Sequence, residues 1–358
     1  MKSWLRTLIV WPTALAALIV GAGAADAQPG GPDQVAVHYI NVDQGSAALL
    51  EFPCGAILID AGGRTSASTT HLIGYLNAFF ARRIDLGRRL DAIFLSHNHQ
   101  DHDRALLRVA QTFRVGGYVH NGQARGAASG ASRMLAHAAS ASPRIPVRAI
   151  TEVEVAAAGT AGVGGPIVDP LACARVDPRI RVLSGGYGAN PGWRSGEFRN
   201  PNNHSLVVRV DYGEASFLFT GDLELTGIAT LLSRYSGTRA LDVDVYVAGH
   251  HGADNGTTLQ FANAMTPEVA VISMGPPIQI GGGSAWKHGH PRRSTVELLE
   301  GVISRPRAAP ITVMVAEGSE NFRALDHPLT DAIYATGWDG DIVVSAGADG
   351  VFRVVTIP

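Results

Sequence analysis

From residue 35 onward the chain alternates short apolar runs with glycine-rich and polar breaks, and the period of each run predicts its element. Residues 35–42, 47–52 and 56–60 read as three strands, parted by turns at Gln44-Gly45 and Pro53-Cys54-Gly55. Residues 71–81 change to helical spacing, and 91–95 return to a short buried strand rich in β-formers. Helical spacing resumes after Asp103, through Leu106, Val109, Ala110 and Phe113. Further on, the pattern predicts strands at 205–211, 216–220, 243–248, 269–274 and 311–316, interleaved with helices at 224–235, 260–265 and 294–299. Two tail strands flank Gly347-Ala348-Asp349-Gly350, a hairpin signal. Segment 120–200 is the least regular. It is rich in Ala, Gly, Ser and Pro, with a helix near 132–139 and short strands near 147–150 and 179–183, and it reads as the wall or lid of a pocket. The two halves, each mixing β-meanders with β–α units, predict a layered α/β sandwich around one core.

The strand at 91–95 runs into Ser96-His97-Asn98-His99-Gln100-Asp101-His102, which sets three imidazoles and a carboxylate within six residues. If the backbone stays extended past Ser96, its period of two puts His97, His99 and Asp101 on one side. The turn into the following helix then swings His102 toward the same point. Such groups, converging at the end of a strand, are ligands for a borderline divalent ion such as zinc. Three more strand ends carry the same chemistry: His204 opens 205–211, Asp222 closes 216–220, and His250-His251 follow 243–248. Any one of them can cap a turn, but the set points to a metal centre.

Bulk properties narrow the setting. A chain of 358 residues, 46% apolar and 17% charged, is globular and long enough for one large core or two modest ones. A net charge of −2 leaves no footprint for strong nucleic-acid binding, though nucleotides and short oligonucleotides stay open as substrates alongside other small molecules. Lys2 and Arg6, the apolar run 8–22 and Ala25-Asp26-Ala27 read as a signal peptide over residues 1–27, cleaved after Ala27, with 28–33 as a linker. No other stretch is long and apolar enough to span a bilayer, which puts the mature chain in the periplasm or outside the cell. There Cys54 and Cys173 either pair across more than a hundred residues or stay as two buried thiols.

The segments "NVDQGSAALLEFPCGAILIDAGG", "LSHNHQDH", "NNHSLVVRVDYGEASFLFTGDLE", "DVDVYVAGHHG", "PEVAVISMG" and "HGHP" together resemble the metallo-β-lactamase-fold hydrolases, and among them the hydrolase domain of ComEC-like competence proteins. The resemblance implies a four-layer αββα sandwich forming a single domain over 34–316, with a C-terminal β extension at 317–358 packed on it. It implies two divalent metal ions, zinc or manganese. One would be held by His97, His99 and His204, the other by Asp101, His102 and His250, with Asp222 bridging. It leaves open whether His250 or His251 faces the metal, and it gives Asp60 a role in orienting ligands. The stretch 276–287 looks inserted before His288-Gly289-His290-Pro291, and channel-forming membrane helices are absent from the sequence.

The expected chemistry is hydrolysis by a hydroxide held between two ions, favoured on phosphodiesters or other phosphate esters. Asp101 would steer the nucleophile's proton. His290 would protonate the leaving oxygen or bind phosphate, and His251 is the further catalytic candidate. His120 and His288 read as structural. Lactone or lactam hydrolysis is the alternative within the same fold, and a metal-stiffened envelope binding protein is the reading outside enzymes.

Overall fold

The computed structural model describes residues 33–123, 129–276, 285–318 and 322–358. The expected signal peptide and nearly all of the linker lie outside these residues, as does most of the 276–287 stretch.

Two mixed sheets form the body. The first has eight strands in the order Phe352–Ile357, Asp341–Gly347, Gln34–Tyr39, Ala48–Phe52, Gly55–Ile59, Ala92–Phe94, Tyr118–His120 and Val147–Ala149. Its first five strands pair antiparallel and the last three continue in parallel. The second sheet runs Ile333–Ala335, Val269–Ile272, Val245–Val247, Ala215–Phe219, Val207–Tyr212 and Arg179–Ser184, parallel at first and antiparallel at its far edge.

Side-chain alternation along the strands explains the layers. Val35, Val37 and Tyr39 join Leu50, Phe52, Ile57 and Ile59 in the core shared with Val208, Val210, Phe217 and Phe219 of the second sheet. Leu49, Leu58 and Ile93 point the other way, against Leu72, Leu76 and Phe79 of the helix Ser66–Arg82 and Leu106 and Val109 of the helix Leu106–Thr112. The second sheet is covered by the helices Leu225–Arg234, Leu259–Met265 and Arg293–Glu300, through Ile228, Leu231, Phe261, Met265, Val296 and Leu299. The fold is thus α/β with helices outside two packed sheets. Each fully buried Phe or Leu contributes about 1.5–3 kcal/mol to this arrangement.

The C-terminal region is woven into the body. Asp341–Gly347 lies beside Gln34–Tyr39, and Ile333–Ala335 completes the second sheet beside Val269–Ile272. The strand expected at 311–316 is longer, Pro306–Glu317, and leaves the main sheet to pair with Arg323–Asp331 in a separate ribbon. Cys54 and Cys173 form a disulfide 119 residues apart in sequence, tying the irregular segment to the turn between the second and third strands. In the chain-entropy view such closure is worth up to about 5 kcal/mol. Within that irregular segment the structure adds a helix, Glu152–Ala158, whose N-terminus is closed by a Thr151–Glu154 capping box. No helix among the described residues is long and apolar enough to cross a membrane.

Candidate metal centre

The site sits where strands of the two sheets end side by side. After Gly55–Ile59 the chain turns at Asp60, which has a left-handed φ of 59°. Its carboxylate accepts the Ser96 backbone N–H at 2.7 Å and the Ser96 hydroxyl at 2.8 Å, fixing the loop that carries the histidines. The extended run past Ser96 is shorter than the alternation argument supposes. It ends at His99, the N-cap of the helical turn Gln100–Asp103, so Asp101 and His102 are presented from a helix. The backbone of that turn is clamped from below, because Ser46 N–H donates to Asp101 O and Ala61 N–H to His102 O, each at 2.9 Å. Only glycine fits at Gly62, where a Cβ would lie 1.6 Å from the Asp101 carbonyl oxygen. Gly221, with φ of 53°, makes the sharp turn that presents Asp222.

Two groups of donor atoms result, and Asp222 belongs to both. One is His97, His99 and Asp222; the other is Asp101, His102, Asp222 and His251; within each, the atoms lie within 4.8 Å of one another. His97 Nε2 is 3.1 Å from His99 Nδ1 and 3.7 Å from an Asp222 oxygen. His102 Nε2 is 3.1 Å from Asp222 and 3.3 Å from His251 Nε2, which in turn lies 3.3 Å from Asp101 and 3.5 Å from Asp222. A tetrahedral centre with metal–nitrogen bonds of 2.0–2.1 Å has edges of about 3.3–3.4 Å, so these spacings fit divalent ions. The donors, imidazole and carboxylate without thiolate, suit zinc and also accept manganese.

Neighbouring groups fix which ring atoms face inward. His102 Nδ1–H donates to Asp60 at 2.7 Å and His251 Nδ1–H to Ser273 O at 2.6 Å, leaving each Nε2 free to bind. The charges are strongly coupled. Burial alone would lower the His251 pKa, but Asp222 and Asp101 lift it to about 10. Burial likewise opposes the charge on His102, and Asp222 and Asp60 raise its pKa well above the usual imidazole value. For Asp222, burial pushes up, yet the His102 and His251 charges hold it far below the carboxylate range. The carboxylates therefore draw positive charge into the site, which is the electrostatic condition for a cation.

The expected ligands do not all assemble. His251, not His250, joins the carboxylates. Both residues adopt left-handed φ, 50° and 54°, and this double turn carries His250 to the rim, where its Nδ1 lies 2.8 Å from Asn255 Oδ1. His204, expected beside His97 and His99, spends both ring nitrogens on its own loop. It donates from Nε2 to Phe198 O at 2.7 Å and accepts the Tyr187 N–H at Nδ1 at 3.1 Å, among the rings of Tyr187, Trp193 and Phe198. His290 is buried, 5.3 Å from His250 and 6.4 Å from His251 between ring centroids. Its Nδ1 has no partner among the described residues, and burial lowers its pKa well below the usual value. His120 stacks on Tyr118 and accepts the Gly122 N–H, a packing role. Asn98, between His97 and His99 in sequence, is buried with both amide atoms unpartnered among the described residues.

This fold, with imidazoles and carboxylates gathered at its strand ends for divalent metal, is that of a metal-dependent hydrolase. Residues 40–275 match the model of the metallo-beta-lactamase superfamily, and the chain belongs to it. Among curated proteins it is 40% identical over 87 residues to competence protein ComA of Neisseria gonorrhoeae, covering 24% of this chain and 11% of that protein. It is 31% identical over 99 residues to ComE operon protein 3 of Bacillus subtilis (strain 168), covering 28% and 11%. The matches thus span about a tenth of the length of these relatives. Among solved structures, the metallo-beta-lactamase fold protein YhfI from Bacillus subtilis aligns with a TM-score of 0.42 at 14% identity, over 76% of this chain and 94% of its own.

Proposed function

We propose that this chain is an exported hydrolase of phosphodiesters or other phosphate esters that works with two divalent ions, zinc foremost. The observation that carries the reading is the sharing of Asp222 by two donor groups. Two bound ions would supply an acidified water and a clamp on the attacking and leaving oxygens of an in-line displacement. His97, His99 and Asp222 would hold one; Asp101, His102, His251 and Asp222 the other. Asp101, with 30% of its side chain accessible, is the most open carboxylate of the set and is suited to take the proton of the attacking water. His290, kept neutral by burial, offers a ring N–H toward the leaving oxygen. The Cys54–Cys173 bond and the N-terminal pattern of Lys2, Arg6 and the apolar run support an oxidising, extracytoplasmic setting.

The test is turnover of bis(p-nitrophenyl) phosphate by residues 28–358 with zinc or manganese, run beside a lactone and a β-lactam. Metal-dependent diester hydrolysis supports the reading. Lactone or lactam turnover without diester hydrolysis overturns it.

A further inference from the structure

A second feature begins at the rim of the metal centre. Three residues beyond Asp222 the helix Leu225–Arg234 starts, and Leu225, Ala229 and Ser233, spaced four apart, form an exposed stripe along it. Trp193 and this stripe line an open, shallow cleft of about 650 Å³ together with Thr226, Thr230 and Arg234. The helix rises 1.5 Å per residue, so the stripe from Leu225 to Ser233 is about 12 Å long and begins three residues after Asp222. Trp193 packs within its own loop, its ring centroid 5.9 Å from that of His204 and 4.4 Å from that of Tyr187, while the start of the helix meets the metal rim through Glu224, 3.6 Å from His250 Nδ1.

The charge around the cleft limits what it can hold. Its cation, Arg234, is already ion-paired with Glu152. At the inner end Glu224 accepts from Asn202 at 2.7 Å, adding negative charge beside the metal rim. A second phosphate would find no free cation among the described residues of this cleft, so a polyanionic backbone is not the fitting occupant. An indole beside Leu225 and Ala229, with only hydroxyls and a paired cation for polar company, fits an uncharged planar ring, for which stacking on an aromatic side chain is worth about 1–3 kcal/mol per base.

We propose that the cleft between Trp193 and the Leu225–Ala229–Ser233 stripe is a subsite for the heteroaromatic base of a mononucleotide-type ester whose phosphate lies at the metal centre. This deepens the phosphate-ester reading and rests on it. The protein then selects for the base next to the phosphate, and a longer strand adds nothing to binding.

The experiment compares calorimetric binding of adenosine 5′-monophosphate and ribose 5-phosphate to the zinc-loaded chain, in the wild type and in Ala229→Phe and Leu225→Asp. Both substitutions lie at exposed positions, and melting curves confirm that the variants fold. The expected result is a preference for the base-bearing ligand of at least about fivefold, from one stacking contact. Both variants abolish that preference and leave ribose 5-phosphate binding unchanged. Equal affinity for the two ligands, or a preference that survives both variants, overturns the subsite. So does affinity for oligothymidylates that climbs with length. If bis(p-nitrophenyl) phosphate is still hydrolysed, the failure belongs to the cleft alone; if it is not, the phosphate-ester reading falls and takes the cleft with it.

Discussion

His102 Nδ1–H donates to the Asp60 carboxylate at 2.7 Å, with both groups almost fully buried. This bond fixes the imidazole so that Nε2 meets Asp222, and the same carboxylate anchors Ser96 at the head of the histidine loop. Asp60 belongs to neither donor group, yet it bonds His102 of one and, through Ser96, anchors the loop that carries His97 and His99 of the other. Asp60→Asn keeps the shape and tolerates the left-handed backbone, but removes the charge that raises His102 basicity. Chelator competition should show metal affinity lowered about 10–100-fold. Unchanged affinity would mean that Asp60 is only a turn residue.

The two adjacent histidines give a sharper test. Since His251 meets Asp101 and Asp222 while His250 bonds at the rim, His251→Ala should lose one equivalent of bound metal and His250→Ala should keep both. His204→Ala should also keep both, because its ring nitrogens bond to Phe198 and Tyr187. Metal analysis of the three dialysed variants decides this. Loss of metal in His204→Ala, with His251→Ala unaffected, would reverse the assignment.

Stability at low pH follows from a different group. Glu51 is fully buried and bonded by His38, Arg82 and Arg83. Burial raises its pKa, and these bonds more than reverse that, bringing it from an ordinary 4.5 to about 2. A folded-state pKa below the unfolded value means stability that is complete above about pH 5 and lost as pH falls from 4.5 toward 2. A shift of this size is worth about 3 kcal/mol. Urea unfolding should show a marked loss of stability below pH 4.5 in the wild type. In Glu51→Gln the protein should be weaker at pH 7 and have a flatter acid limb. Parallel acid limbs in the two proteins would refute this.

The contiguous part of the site was legible because it needs only one strand end. Ser96 through His102 announce themselves by residue type, and Asp222 by the glycine that turns the chain before it. His250 and His251 were not separable, because a double left-handed turn at non-glycine residues has no local sequence signal. The surroundings of His204 are not legible from sequence, because its ring bonds to Phe198 and Tyr187, in the irregular segment where periodicity fails. The helix Glu152–Ala158 did have a signal, the Thr151–Glu154 capping box, hidden in an alanine-rich stretch. The ribbon strand Arg323–Asp331 had almost none, since its exposed, charged residues and Pro328 do not read as sheet.

Metal content by mass spectrometry of the wild type and Asp222→Ala, with bis(p-nitrophenyl) phosphate turnover on the same samples, tests the shared two-ion site. If two donor groups meet at Asp222, the wild type holds two ions and hydrolyses the diester. Asp222→Ala then holds at most one and falls to background while remaining folded. Two ions and full turnover in Asp222→Ala, or no bound metal in the wild type, would contradict the shared two-ion site.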